Sequence, residues 1–352
     1  MSTVRVAIIG VGLIGPRHAE AVVKSSSAEL VAVVDPASAG SEVASKLGVS
    51  HFKSIEELLK SNKKPDAAII CTPNHTHVAV ATELSSAGVH ILVEKPISTD
   101  IPSGKAFLEH LSHTNVKCLV GHHRRFNPHM IAAKDVVSSG SLGRILGING
   151  VWALYKPSSY FESPTEWRKG KTGGVILINM VHEVDLLHYL FGRIASVHAE
   201  KTLPQRGHEA HEGAVMTLKF TSGVVGSFFV CDNVPSPWNF ESGTGENPLI
   251  PTTGQDFYRI FGTDASLSVP DMTVWSYKGA EKSWHSELTQ EREAVPGSVP
   301  FENQVDHFSK VVRSEESPSC SAQAGLAALI VCEAITKALE TGVTVQIEDY
   351  NL

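Results

Sequence analysis

Glu94-Lys95-Pro96 closes the apolar run Val89-His-Ile-Leu-Val93 and so sets an ammonium group at the carboxyl end of a predicted buried strand, the edge at which open α/β sheets bind ligands. Alcohol oxidation releases a hydride and a proton, and a group beside the hydroxyl must accept the proton as the carbonyl forms. A lysine partly desolvated near other positive charge has a lowered pKa and can serve as that base. His182, on a predicted amphipathic helix, is a second candidate for acid/base work. Upstream, Gly10-Val-Gly12-Leu13-Ile14-Gly15 follows a strand and opens a helix. Its first glycine permits the tight turn, its second admits a pyrophosphate and its third lets helix meet strand, while the helix amino terminus offers N–H groups and dipole to the anion.

Asp35 ends the second predicted strand, where a carboxylate can bind a ribose 2′-hydroxyl. Pro36-Ala37-Ser38 follow, with no arginine to receive a 2′-phosphate that the carboxylate would repel. NAD is therefore expected in preference to NADP. Thr72-Pro73-Asn74-His75-Thr76-His77 follows the strand Asp66 to Cys71, so Thr72, Pro73, Asn74 and His77, together with Glu94, are expected to line the same crevice. Asn74 or Thr76 is placed to cap the helix Val78 to Ala87.

Five short β-branched strands alternate with helices in the first third of the chain: Val4 to Ile9, Glu29 to Val34, Asp66 to Cys71, Val89 to Val93 and Lys117 to Val120. Ser54-Ile-Glu-Glu57 has capping-box spacing, and Asp100 with Pro102 opens another helix. This grammar predicts a doubly wound parallel sheet over residues 1–121. After Asn127-Pro128 it changes to a helix up to about Ser138, a long strand near Arg144 to Tyr155, a helix from about Gly174 to Phe191, and then mostly strands: Val197 to Thr202, Ala214 to Phe220, Val224 to Cys231, Tyr258 to Phe261 and Thr273 to Tyr277. Residues 122–352 are accordingly predicted to form an α+β domain with a mostly antiparallel sheet covered on one face. Helices near Phe301 to Arg313 and Ala322 to Glu340 end the chain. The stretch Val234 to Gln255 is too long for an ordinary connection and is expected to be functional.

Composition narrows the partners. The chain has 352 residues, 42% hydrophobic and 19% charged, with 30 Lys+Arg against 37 Asp+Glu. That is a globular balance with no basic footprint for nucleic acid. No apolar stretch reads as reaching the roughly 20 residues that span a bilayer, and the amino terminus enters a strand without a signal-peptide pattern, so a cytoplasmic protein is expected. The five cysteines lie mostly in apolar runs without CxxC pairing, which predicts buried, reduced thiols. The pairs His75/His77, His122/His123 and His208/His211 lack a completing cysteine or carboxylate set, and no metal is expected.

Four motifs in order, Gly10-Val-Gly-Leu-Ile-Gly15, Thr72-Pro-Asn74, Glu94-Lys-Pro96 and Gly173-Gly174 through His182-Glu-Val-Asp185, together resemble the Gfo/Idh/MocA oxidoreductases. Trp167-Arg168, ahead of the double glycine, is similar to the family's pattern as well. The resemblance spans nearly the whole chain and implies a dinucleotide-binding domain followed by an open-faced sheet domain, acting on a hydroxyl of a sugar, an inositol-like polyol or a related small polar molecule. It implies that Lys95 and His182 flank the carbon being oxidised, that the Lys-Pro bond is cis, and that the second sheet pairs with another copy in a homodimer or homotetramer. The chain departs from the pattern at Ile178, where members with a full proton relay carry Asp. Asn179, one residue on, can orient substrate or histidine but cannot titrate. Arg125 or its neighbour Arg124, Tyr155, Trp167, Arg168 and Asn179 are the remaining substrate-side candidates, with Tyr160 and Trp238 as further aromatic ones. Two alternatives stay open: an NAD-binding regulator without catalysis, resembling the yeast galactose-pathway repressor, and an enzyme that uses NAD transiently while cleaving a glycosidic bond.

Overall fold

Strand β1 (Val4–Ile9) is buried at every position except Arg5, and its Val-Arg-Val-Ala-Ile-Ile sequence is what a central strand of a two-sided sheet needs. The glycine turn leads into α1 (Gly15–Lys24), and β2 (Ala28–Val34), α2 (Ser38–Leu47), β3 (Ser50–Phe52), α3 (Ile55–Lys60), β4 (Ala67–Ile70), α4 (His77–Ser86), β5 (His90–Val93), α5 (Ile101–Ser112) and β6 (Cys118–Val120) follow. This is a computed structural model, and it describes residues 3–347. The six strands form one parallel sheet in the order β3-β2-β1-β4-β5-β6. Strand order therefore reverses between β1 and β4, which makes their carboxyl ends the switch point where such sheets bind ligands.

Register aligns the motifs. Ile9 pairs with Ile70, Ile70 with Val93 and Val93 with Val120, so Gly10, Cys71, Glu94 and Gly121 leave the sheet side by side. Backbone bonds continue the row, with Cys71 N–H donating to Ile9 O (2.7 Å), Glu94 N–H to Ile70 O (3.0 Å) and Gly121 N–H to Val93 O (2.7 Å). Ser54 caps α3 as its spacing predicts, accepting from Glu57 N–H, while the Glu57 carboxylate reaches back to Lys53 N–H rather than to Ser54. Asp100 caps α5 through Ser103 N–H. Strand β3 has no counterpart in the sequence reading: it is a three-residue, half-buried edge strand, too short to show a period.

The second unit contains α6 (Pro128–Ser139), β7 (Ile145–Ala153), a π-helical turn at Ile176–Met180 running into α7 (Val181–Phe191), β8 (Ile194–Lys201), β9 (Gly213–Phe220), β10 (Val225–Cys231), the short α8 (Phe240–Thr244), β11 (Tyr258–Gly262), β12 (Ala265–Val269), β13 (Thr273–Ser276) and β14 (Thr289–Arg292). Its nine-stranded sheet, which also takes in a strand at Val345–Gln346, is antiparallel apart from the β7–β10 pair. Residues alternate between buried and exposed along β9, as a sheet with one covered face requires. The sequence reading missed β12 and β14. In β14 the residues Thr-Gln-Glu-Arg are all exposed, so there is no apolar face to read.

The chain then returns to the first unit. Helix α9 (Pro300–Val312) lays Phe301 edge-on against His18 of α1 (5.0 Å between ring centroids), and Asn303 donates to Phe126 O (3.0 Å). The first unit accordingly runs to Phe126 and includes Ser298–Leu329, and among the described residues the second is Asn127–Gly297 with 330–347. The sequence reading places everything beyond residue 121 in the second domain, whereas by compactness the returning segment joins the first unit. A helical period shows that a face will be buried but not which sheet receives it. Helix α10 (Ala322–Thr341) also revises the sequence reading. By length and composition it could cross a membrane, but 67% of its most apolar window is buried in the fold, which marks it as a core helix. All five cysteines are buried, as expected from their apolar surroundings.

Candidate active site

The Gly10–Gly15 turn is shaped by close backbone approach. Gly10 has φ +90°, and a Cβ there would lie 3.0 Å from the backbone of Cys71 and Thr72; at Gly15 it would lie 2.2 Å from Gly10 O. Gly12 is different, because a Cβ there would meet nothing within 4 Å. The loop thus keeps open space at its middle glycine, and no side chain caps the amino terminus of α1, whose dipole favours an anion there. Leu13 is 92% exposed and Ile14 half-buried. Asp35 ties the loop to the end of β2: one carboxylate oxygen accepts from Val11 N–H (2.9 Å), the other from Ala37 N–H (2.8 Å). A carboxylate has lone pairs beyond these two bonds, and they face a neighbourhood of Pro36, Ala37 and Ser38 that brings no positive charge. These residues fit a dinucleotide with a free ribose 2′-hydroxyl.

Lys95 stands in the same row of strand ends, half-buried, and its peptide bond to Pro96 is cis. Two buried side chains hold its backbone. Glu94 accepts from His18 Nε2 on α1 (2.7 Å) with one oxygen and from Lys95 N–H (3.2 Å) with the other. Burial pushes the Glu94 pKa up, but the His18 hydrogen bond and the positive charges of His18, His123 and Lys95 outweigh it and hold the carboxyl at about 2. His77, 1% exposed, has Nδ1 2.8 Å from Pro96 O and Nε2 2.9 Å from Thr72 O. Burial lowers its pKa, against the pull of those two carbonyls. Its ring therefore spans the loops after β4 and β5. The Thr76 hydroxyl turns back to Thr72 Oγ1 (2.7 Å) and Pro73 O (2.8 Å) and caps no helix; Asn74 begins a 3₁₀ turn and is exposed like Pro73.

The second unit has its own polar cluster. Lys156, just beyond β7 and 6% exposed, donates from Nζ to Asn179 Oδ1 (2.6 Å) and lies 3.2 Å from Asp232 Oδ2. Burial lowers its pKa, with Asp232 and Glu241 pulling it back up. Arg206 binds Asp232 through Oδ1 (2.6 Å) and its carbonyl (2.6 Å), and Arg206 N–H donates to Glu212 (2.7 Å). The Lys156 ammonium is 4.7 Å from the Tyr160 ring centroid, and the Arg168 guanidinium 3.9 Å from the same ring. Trp152 Nε1 donates to Glu241 (2.8 Å), and Asn239 donates to Ala153 O (3.1 Å). The segment Val234 to Gln255 is thereby pinned to the end of β7 by a short helix rather than left as an open loop. His182, 7% exposed, lies in the first turn of α7, immediately after the π turn that carries Ile178 and Asn179.

Family models match both parts of the chain: an oxidoreductase family NAD-binding Rossmann fold over residues 4–122, and an oxidoreductase family C-terminal alpha/beta domain over residues 134–347. The chain belongs to the Gfo/Idh/MocA oxidoreductase family. It is 28% identical to scyllo-inositol 2-dehydrogenase (NAD(+)) of Bacillus subtilis over 98% of this chain and 96% of that protein, and 26% identical to myo-inositol 2-dehydrogenase of Thermotoga maritima over 98% and 99%. Among solved structures, a levoglucosan dehydrogenase in complex with NADH and levoglucosan shares the fold at a TM-score of 0.80, with 20% identity over 99% of this chain and 100% of that one. This Gfo/Idh/MocA member is an NAD-dependent oxidoreductase.

Within that frame the predicted residues separate. Gly10, Gly12, Gly15, Asp35, Thr72 and Lys95 gather at the sheet's switch point. Glu94 and His77 are buried supports of the same loops rather than exposed contacts. Arg125 is buried and donates to Ser319 O of the returning segment. Tyr155 and Trp167 are exposed, at 58% and 50%. Arg168 and Asn179 join the Lys156 cluster. Asn179 was placed on the His182 face by α-helical spacing, which does not hold through a wider π turn, a feature frequent at functional sites. Lys156, Asp232, Arg206 and His18 escaped the sequence reading. A signal for Lys156 existed, since Tyr155-Lys156-Pro157 at the end of β7 repeats the Glu94-Lys95-Pro96 arrangement at the end of β5.

Proposed function

We propose that the chain oxidises a secondary hydroxyl of a sugar or inositol-like polyol, with Lys95 accepting the hydroxyl proton and His182 sharing the acid/base work. The observation that carries this reading is Lys95 at the carboxyl end of β5, in the same row of strand ends as the Gly10 turn and Thr72. NAD, held by the Gly10–Gly15 turn, the amino terminus of α1 and Asp35, supplies the hydride acceptor. Glu94 and His77 fix the backbone on either side of Lys95, so its amine, deprotonated to act as the base, is presented from an ordered loop, as proton transfer over hydrogen-bond distance requires. Ile178 cannot take a proton, which leaves Lys95 and His182 to divide that task. The relatives named for inositol and levoglucosan support the substrate class.

The test is turnover of NAD with a panel of inositols, aldoses and anhydrosugars, followed as NADH absorbance. Lys95→Ala should lower kcat on the order of 10³-fold and leave NAD affinity unchanged in a binding titration; retained turnover would remove the lysine from this role. We further infer a homodimer or homotetramer formed through the open face of the nine-stranded sheet, where Leu146, Val215, Val225 and Phe261 are exposed at 41–54%. A single monomeric species in analytical ultracentrifugation at micromolar concentration would exclude it.

A further inference from the structure

Lysine Nζ is only a donor, so the Asn179 atom that meets Lys156 at 2.6 Å is the carbonyl oxygen, and the amide's N–H groups are turned elsewhere. The ammonium is itself fixed. Asp232 holds it at 3.2 Å, Arg206 holds Asp232, and the rings of Tyr160 and Trp152 lie 4.7 and 5.5 Å from it. Asn179 therefore cannot flip without burying two donors against each other. Where relatives with a full relay offer a carboxylate, which accepts hydroxyl protons and repels anions, this helix turn offers the N–H groups of the Asn179 amide.

Arg168 carries the same sign. Its Nη1 donates to the Tyr160 carbonyl (3.0 Å) and its guanidinium stacks on Tyr160 and Trp167, all neutral partners. Its Nε is buried without a hydrogen-bond partner among the described residues. Asp232 and Glu212, in contrast, are engaged by Lys156 and Arg206, and Glu241 accepts from Trp152. A buried, unmet donor on a charged group is costly, and a carboxylate is the ligand group that answers a guanidinium and an amide together.

We propose that the substrate carries a carboxylate, received by Arg168 and the Asn179 amide, and that Lys156 is the positioning residue that fixes Asn179 for it. This rests on the dehydrogenase reading above and narrows its substrate from polyols at large to hydroxy acids of the sugar type. Ile178 fits the same account, because a carboxylate side chain at that position would repel such a ligand.

The experiment measures binding, by calorimetry on the NADH-loaded protein, of aldonates, uronates and small 2-hydroxy acids against neutral polyols and sugars of matched size, and turnover of the same compounds with NAD. At least one acid should bind tenfold or more tighter than its neutral counterpart. Asn179→Asp should cancel or reverse that preference, Arg168→Gln should weaken acids at least fivefold more than neutral compounds, and Lys156→Met should lower the acid-to-neutral ratio, with the thermal midpoint of each variant recorded. A preference ratio is a readout that loss of fold alone does not move in this direction. Acids that bind no tighter than neutral compounds, or a ratio unmoved by Asn179→Asp, would overturn the inference. Polyol turnover without acid preference would do so while leaving the dehydrogenase reading intact. Tight acid binding without NADH formation would instead sink that reading and leave this one standing.

Discussion

The two regions of this chain that carry polar chemistry are built from different material. In the Rossmann unit the cofactor turn, the Thr72 loop and the Lys95 loop are placed mainly by backbone: strand register aligns their starting points, and glycines without room for a Cβ set the turn. In the second unit Lys156, Asn179, Asp232 and Arg206 come from four separate stretches, and charge-assisted side-chain bonds hold them together. The first kind of site survives most side-chain changes outside its glycines. The second fails when one partner is removed, because the remaining charges stay buried and unpaired.

Gly15→Ala is the harshest way to probe the backbone-built region. A Cβ 2.2 Å from Gly10 O has no flexible neighbour to displace, so NAD binding should fall beyond detection in a titration, with a lowered thermal midpoint. Gly12→Ala sharpens the point. With nothing within 4 Å of the new Cβ, the thermal midpoint should hold within a degree or two while NAD affinity drops roughly tenfold, about 1.4 kcal/mol. Equal losses in both properties would mean that Gly12 serves the fold and not the ligand.

Glu94 is where the Rossmann unit borrows the second unit's strategy, and it should respond accordingly. Glu94→Ala leaves His18 buried without its partner and is expected to cost about 3–5 kcal/mol in denaturant unfolding. The pH dependence follows from the depressed pKa. Stability contributed by Glu94 is fully present above the ordinary glutamate value and is lost as pH falls through that value toward about 2. Wild type should therefore lose stability steeply on acidification below about pH 4.5, and Glu94→Gln should flatten that slope. An unchanged acid limb in the variant would show that the His18 contact contributes nothing.

The smallest effect is expected at Asp35. Its carboxylate already accepts from Val11 and Ala37 N–H, so Asp35→Ser removes the repulsion of a 2′-phosphate but keeps a polar side chain in the turn. The ratio of kcat/KM for NAD over NADP should narrow by about one order of magnitude, a change near 1.4 kcal/mol. Unchanged selectivity would take Asp35 out of the ribose site.

Legibility divides along the same line. The strand ends, the glycine turn, the Asp100 cap and the buried cysteines could be read because each depends on neighbours within a few positions. Strand β14 could not, because its exposed Thr-Gln-Glu-Arg shows no face. Nor could the π turn, since an apolar helix reads alike whether one of its turns is wide or not. Arg125 stands beyond the last Rossmann strand in sequence, and only the fold shows its bond to Ser319, 194 positions away.

Sequence alone determined that this chain has a dinucleotide turn, an acidic residue to end β2 and a lysine at a strand's carboxyl end, since these follow from φ/ψ limits, strand period and residue chemistry over short spans. Only the tertiary structure decided that Glu94 and His77 brace the loops around the lysine, that α9 returns to the first unit, and that Lys156 turns the Asn179 amide. Those outcomes depend on which distant groups meet in a low-dielectric interior, where a donor accepts only the partner that packing brings to it.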